Sequence, residues 1–546
     1  MPRLPPTTLS LFLLTLASAD AIVFRSYDAT RHKRFDPFPT NPQINPNQIF
    51  ANLDLTGIGM NAISADIQCA LVSRQHVLFA THFTPGGLGP GGAVRFVDSG
   101  GTYHIRNITS QVVIQDGGQN SDLSVLKLTS PIDAGSGVEP LAYLDLPSPG
   151  DYETLVIGVA GKRDEGGGNK FPVIGKGVIA DVETSSRTEN YGGNTGFLTT
   201  RYMHFDYVRT GGGLDPDDVH FEGGDSGSPT FVDHNGRAAL VGVHSYVTGY
   251  FADPQPPPSE PYENYDVFIP HYITALDAVL ATDGYRMRPA NAPMTTLGDA
   301  SATAQTTPRR ALPLDFSYTL TNTGANETGN LEVEFHFDPA EAPDSLTPPA
   351  GWVTYGGAPS WTFRRALLAA AAGGTFTATW TAAPSVATID PGIMRRSDTT
   401  TEASPGFTIA LAPSFADWAS GLSEPAESDD PDKDQLINLL EYAFGGDPEN
   451  GHLVFADGGP LTPALSVGGG TVTLSFPERD DKVLRGLSYI PEFSSTLGGW
   501  VTTTPPGFSS TTEAYAPAVP GFVKRVLTWT AAPDAGFARI RVELNE

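Results

Sequence analysis

Gly224-Asp225-Ser226-Gly227-Ser228-Pro229 is the stretch from which the rest of this chain is best read. A serine between aspartate and glycine, with glycine on both flanks, suits a nucleophile on a tight turn. Glycine tolerates the backbone angles that aim consecutive amide N–H groups at one point. An acyl-transfer site needs that geometry, because its tetrahedral intermediate carries negative charge on the former carbonyl oxygen. A chain with 59 glycines also produces short Gly/Ser strings by chance. The serine therefore has to be weighed together with residues that could activate it.

A serine hydroxyl attacks poorly until a base removes its proton. That base is commonly a histidine held in one tautomer by a buried carboxylate. Val77-Leu78-Phe79-Ala80-Thr81-His82 is an apolar strand ending in two small residues and a histidine. Ser121-Asp122-Leu123-Ser124-Val125-Leu126-Lys127-Leu128 opens on an aspartate and alternates, with Leu123, Val125 or Leu126, and Leu128 as core candidates. Taken singly, the histidine reads as structural and the aspartate as a turn residue. Together, in order around the Gly-Asp-Ser turn, they read as base, orienting carboxylate and nucleophile.

The order His82, Asp122, Ser226 is the chymotrypsin-type order, and here the chain resembles the trypsin/chymotrypsin-like serine peptidases. His82 lies in a segment similar to their Ala-Ala-His-Cys, and Asp122 in one similar to Asp-Ile-Ala-Leu-Leu. Ser226 lies in a segment one residue away from Gly-Asp-Ser-Gly-Gly-Pro. Leu240-Val241-Gly242-Val243-His244-Ser245-Tyr246 resembles the strand after the nucleophile, whose backbone binds substrate. Val267 to Pro270, and a helical stripe at Ile273, Leu276 and Leu280, resemble the closing strand and C-terminal helix. The resemblance covers residues 22–287 and implies a mainly β fold, a chymotrypsin-like double β-barrel. It implies that Ser226 Oγ attacks a peptide carbonyl while His82 takes the proton and later hands it to the leaving amine. Asp122 would orient His82, and the N–H groups of Gly224 and Ser226 would form the oxyanion hole. No cofactor is expected for this chemistry.

The chain departs from the family in three places. Its one cysteine is Cys69, and Phe83 stands where the family's disulfide partner follows the histidine, so the two are expected to pack as apolar residues. The resemblance places His220 and Phe221 in the primary pocket, with no aspartate there for Lys or Arg. It also places His244 where glutamate-specific members carry a pocket histidine, with Ser245 and Tyr246 beside it. An acidic preference and a small or apolar preference both remain open, and His244 also reads as a satisfied core histidine. Finally, cleavage after Ala21 would free Ile22 to pair with Asp225, although Ile22 stands farther ahead of the histidine than is usual in the family.

At 546 residues the chain is too long for one core. Residues 1–21 carry Arg3, a short apolar run from Leu9 to Leu16, and Ala17-Ser18-Ala19, the pattern of a secretory signal. No other stretch reads as a transmembrane segment, so the protein is expected to be exported: secreted, periplasmic or at the cell surface. The net charge of −28, from 61 acidic and 33 basic residues, excludes nucleic acid as a partner.

Beyond residues 288–309, a Pro/Ala/Thr-rich linker, the pattern turns to alternating strands such as Leu314 to Leu320 and Thr375 to Trp380. Residues 310–412 are expected to form an immunoglobulin-like β-sandwich. In 413–450, Asp430, Asp432, Asp434 and Glu441 have the spacing of a Ca²⁺ loop. Gln435 occupies the sixth place, where such loops carry glycine. The segment resembles thrombospondin type 3 acidic repeats of exported bacterial proteins. It also reads as a solvated linker that caps a helix. Residues 451–546 return to β pattern and resemble the small C-terminal β domain that follows such repeats. The whole reads as a secreted serine endopeptidase acting on protein or peptide, with β modules suited to cell-surface or matrix contact. The alternatives are a catalytically silent adhesion protein and a peptidase that cuts its own chain at Pro254-Gln255-Pro256-Pro257-Pro258 or in the linker.

Overall fold

The computed structural model describes residues 22–545 apart from 65–66, 85–87, 166–169, 192–196, 208–214, 249–261, 292–299, 304–313, 325–326, 382–387, 390, 398–400, 404–408, 411–413, 452–460, 484, 516–517 and 532–535. The signal segment, the Pro254 to Pro258 stretch and most of the 288–309 linker lie outside the described residues. The chain divides into two compact units, Met1–Met294 and Thr295–Glu546. Among the described residues no helix is long and apolar enough to cross a membrane.

Strands of the first unit are, in chain order, β1 Val23–Phe24, β2 Ile58–Asn61, β3 Gln68–Ser73, β4 His76–Phe79, β5 Ala93–Val97, β6 Tyr103–Asp116, β7 Gln119–Leu128 and β8 Ala142–Tyr143. There follow β9 Val156–Asp164, β10 Lys170–Val182, β11 Arg187–Asn190, β12 Phe197–Thr200, β13 Tyr202–Tyr207, β14 Val219–His220, β15 Pro229–His234, β16 Arg237–Val247 and β17 Tyr262–Phe268. The order β2-β3-β4-β7-β6-β5 closes a barrel. A second ring runs β15-β9-β10-β13-β17-β16 and closes where β15 pairs with β16, with β8 added in parallel. This is the chymotrypsin-like, mainly β arrangement expected of residues 22–287.

Period-two alternation sends Leu126 and Leu128 into the first barrel, beside Cys69, Leu71, Val77 and Phe79. Leu123 and Val125 face the other way, yet they are buried too, against Ala160, Ile174, Phe231 and Leu240 of the second barrel. Val125 and Leu126 are thus both core residues, in different cores, because β7 lies between the barrels. Helix Ile273–Leu280 sends Leu276 and Leu280 into this inter-barrel cluster, with Ile273 half-buried beside them. Cys69 is free and buried, and Phe83 packs on the same barrel core.

The long run between Ile22 and the first barrel is an arm that ties the two barrels together. β1 pairs with β14, Val23 opposite His220. Arg34 N–H donates to the Pro172 carbonyl on β10. Its guanidinium donates to Gln68 Oε1 at 2.9 Å and to the Leu55 and Ile58 carbonyls at 3.0 Å. Burial pushes this guanidinium down to about 9.

In the second unit two sheets share one core. One orders Ala300–Thr303, Leu314–Thr321, Gly373–Trp380 and Ser345–Thr347; the other orders Val353–Gly357, Ser360–Leu368, Thr328–His336, Gly392–Arg396 and Thr401–Ala403. Tyr318, Phe335, Phe363, Phe376 and Trp380 fill the space between them. Part of the expected linker is therefore strand: Ala300–Thr303 pairs with Leu314–Thr321. A further sheet orders Ala464–Gly468, Thr471–Arg479, Phe522–Thr530 and Ser509–Glu513, and Leu487–Ser494 pairs with Phe537–Leu544. Helix Asn438–Phe444, which follows the acidic loop, is buried on two sides. Phe444 joins Phe476 and Trp529, and Tyr442 joins Phe415 and Leu487.

Candidate active site

β4 carries His82 to its place. The strand ends at Phe79, and a 3₁₀ turn, Thr81–Phe83, aims the imidazole at the seam between the barrels. Asp122 stands near the start of β7, where its carboxylate meets Ser245 of the second barrel, and its side chain is fully buried. Asp122 Oδ1 accepts from the His82 amide and Oδ2 accepts from His82 Nδ1, both at 2.8 Å. That contact holds the proton on Nδ1 and leaves Nε2 as an acceptor. Ser226 Oγ lies 3.0 Å from Nε2.

Ser226 is seated by its neighbours. Gly227 N donates to the His244 carbonyl, and His244 N donates to the Ser228 carbonyl. Gly227 has φ of +91°, and a Cβ there would stand 2.1 Å from the Phe79 ring. Only glycine lets the turn rest on the strand that leads to His82. Gly224 has φ of +96°, again outside what side chains favour. Asp225 is buried, and Ile22 N donates to its Oδ2 at 2.7 Å. Burial pushes the Asp225 carboxyl up, opposed by Lys162, the Glu222 amide, His244 and the Ile22 amide.

The remaining expected substrate residues are each held by other side chains. His220 Nδ1 is 3.0 Å from Asn264 Oδ1, which also accepts from the Phe221 amide. The Phe221 ring stacks on His244 at a centroid distance of 3.6 Å, and His244 Nδ1 pairs with Asp266 Oδ1 at 3.0 Å. Tyr246 stacks on Tyr265. Ser245 Oγ donates to Asp122 Oδ2.

Three contacts at this site carry no sequence motif. Thr200 Oγ1 accepts from the Asp122 amide at 2.9 Å. Ser245 supplies the third hydrogen bond to the Asp122 carboxylate. Tyr191, just after β11, lies parallel to the His82 ring, with centroids 4.3 Å apart and planes within 9°. Its hydroxyl is 2.7 Å from Ser245 Oγ and 3.2 Å from the Tyr202 hydroxyl.

The arrangement can deliver a serine alkoxide and return a proton, the chemistry of an acyl-transfer hydrolase. Residues 63–262 match the Trypsin family model. The match supports a trypsin-like serine peptidase domain in this part of the chain. No curated protein matches the chain. Among solved structures, the scabies mite inactivated protease paralogue S-I1 is similar at 17% identity and a TM-score of 0.27, over 41% of this chain and 93% of that one.

In the second unit, Asp430, Asp432 and Asp434 can each bring a carboxylate oxygen within 4.8 Å of the others. Gln435, in the glycine place, has φ of +78°, so the backbone takes the left-handed turn without glycine. Glu441 is 1% exposed. Its Oε2, like Asp430 Oδ1 and Asp432 Oδ2, is buried with no hydrogen-bond partner among the described residues. Burial, then Asp432, Asp434, Asp430 and Asp447, push the Glu441 carboxyl up to about 7.

Proposed function

We propose that the protein is an exported serine endopeptidase, with Ser226 as nucleophile, His82 as general base and acid, and Asp122 as the carboxylate that orients it. The observation that carries this reading is the continuous chain from Ser226 Oγ through His82 to Asp122, at 3.0 and 2.8 Å. The amides of Gly224 and Ser226 form the oxyanion hole; losing one such donor costs about 10²–10³ in rate. The primary pocket takes a small or apolar side chain. Phe221 lies on the face of His244 with ring centroids 3.6 Å apart, so its ring takes space that a larger side chain would need. Mass spectrometry of peptides cut by the mature protein, beside Ser226→Ala, tests the reading. Cutting by the wild type alone supports it, and the cleavage sites report the pocket. Cleavage after Glu or Asp would instead assign His220 and His244 to an acidic preference. No cutting by either protein would transfer the chain to the binding-protein class.

Maturation frees Ile22. Its nitrogen already lies 2.7 Å from Asp225, and its φ of +38° strains a β-branched residue only while another residue precedes it. N-terminal sequencing of the exported protein should begin at Ile22; a start at Asp20 counts against this.

The acidic loop holds Ca²⁺ through Asp430, Asp432, Asp434 and Glu441. What supports this is the unpartnered, buried Glu441 Oε2 beside three aspartates, a set of hard oxygen donors. The immunoglobulin-like and C-terminal β modules serve as spacers or surface contacts.

A further inference from the structure

The substrate path past Ser226 is bounded on one side by β16. Up to Val243 this strand is paired with β15, and His244 exchanges backbone hydrogen bonds with Gly227 and Ser228; beyond His244, among the described residues, only β17 pairs with it. Among the described residues no further strand lies on the edge at Ser245 to Val247, and an extended peptide can add there as one. A peptide laid there with its scissile carbonyl at Ser226 passes its preceding residue between this edge and the imidazole of His82.

Tyr191 occupies that gap. Its ring covers one face of His82, and its hydroxyl reaches the Ser245 side chain on the edge strand. Ser245 Oγ gives its only proton to Asp122 and so must accept from Tyr191. Burial and the Asp122 charge push the Tyr191 hydroxyl up, which keeps it a donor. Moving the ring aside would break the stack and leave Ser245 Oγ without its donor, a loss that a bulky substrate side chain has to overcome.

We propose that Tyr191 is a specificity-determining residue. It restricts the substrate position immediately before the residue whose carbonyl is attacked to glycine or alanine. The proposal rests on the peptidase reading above. Selection here is by exclusion, an attractive site for small residues built as a clash for large ones.

The test compares two fluorogenic peptides that differ only at this position, glycine against leucine. It uses the wild-type protein, Y191F, Y191A and S226A, and follows Ser226 labelling by a fluorophosphonate in parallel. The wild type should favour the glycine peptide by about 10-fold or more in kcat/KM, the scale of steric discrimination in a filled pocket. Y191F keeps the ring and should keep the preference. Y191A should still label, at whatever rate the loss of the His82 stack leaves, and should lose most of the preference between the two peptides. A wild type that takes leucine as readily as glycine overturns the proposal, whatever Y191A does. Equal changes on both peptides in Y191A also overturn it, and would make Tyr191 a positioning residue or a plug. A wild type that neither cuts nor labels defeats the peptidase reading itself, a distinct outcome.

Discussion

Replacing Glu441 by glutamine should stabilise the metal-free protein at pH 8 and abolish its response to Ca²⁺. In the folded chain this carboxyl titrates near 7 instead of its ordinary 4.5, because it is buried beside Asp432, Asp434 and Asp430. The folded value lies above the unfolded one. Its stabilising contribution is therefore complete below about 4.5 and is lost as pH rises through about 7. A difference of about 2.5 pK units at about 1.4 kcal/mol each sets an upper figure of about 3.5 kcal/mol. Solvent screening at the half-exposed aspartates lowers that to about 1–2 kcal/mol. Glutamine keeps the shape and removes the charge, so metal-free E441Q should melt a few degrees above the wild type at pH 8, at about 2–4 °C per kcal/mol. At pH 5 the two should nearly coincide. Ca²⁺ at about 100 times its dissociation constant should add about 2.7 kcal/mol to the wild type and little to E441Q. Calorimetry of both full-length proteins with chelator and with Ca²⁺, at both pH values, reads these differences. A full Ca²⁺ shift in E441Q, or a metal-free wild type as stable as E441Q at pH 8, would refute the reasoning.

Gly227→Ala should destabilise by about 1–3 kcal/mol, the overpacking scale, because its Cβ meets the Phe79 ring at a φ that side chains avoid. Thermal melts give the cost, and the double variant with Phe79→Ala should recover part of it; strict additivity would show that the two do not touch. Asp122→Asn should lower kcat about 10⁴-fold while leaving the melting temperature near that of the wild type, a drop of less than 10-fold being the adverse result. Ser245→Ala removes a hydrogen bond to a buried carboxylate, worth about 1.5–3 kcal/mol, and should lower kcat/KM about 10-fold or more. Unchanged kinetics would mean that Asp122 needs only its two contacts with His82.

What the sequence disclosed was local. Phe79 to His82, Asp122 to Leu128 and the Ser226 turn each declare themselves within eight residues, because strand alternation and turn chemistry are short-range properties. Tyr191 and Thr200 did not, since each acts through a partner far away in the chain, His82 or Asp122. The double burial of β7 escaped for a related reason. Alternation names two faces, and only the second barrel decides that both are covered. At Gln435 the glycine of such loops is missing, yet the φ of +78° shows that the residue type alone did not set the backbone there. The acidic segment could pass for a solvated linker because its anchors, Tyr442 and Phe444, find their cores only in the folded C-terminal sheets.

Cys69 and Phe83 packing as plain apolar filling has a consequence for how this protein can be made and where it can work. The barrel that carries His82 is held by strand pairing and burial without a disulfide, so its folding waits on no oxidant or thiol isomerase. Reductant at concentrations that unlock disulfide-bound secreted enzymes should leave its activity unchanged. The same chain can be produced in a reducing cytosol and remain intact in thiol-rich surroundings, a range of redox conditions that a disulfide-braced barrel does not share.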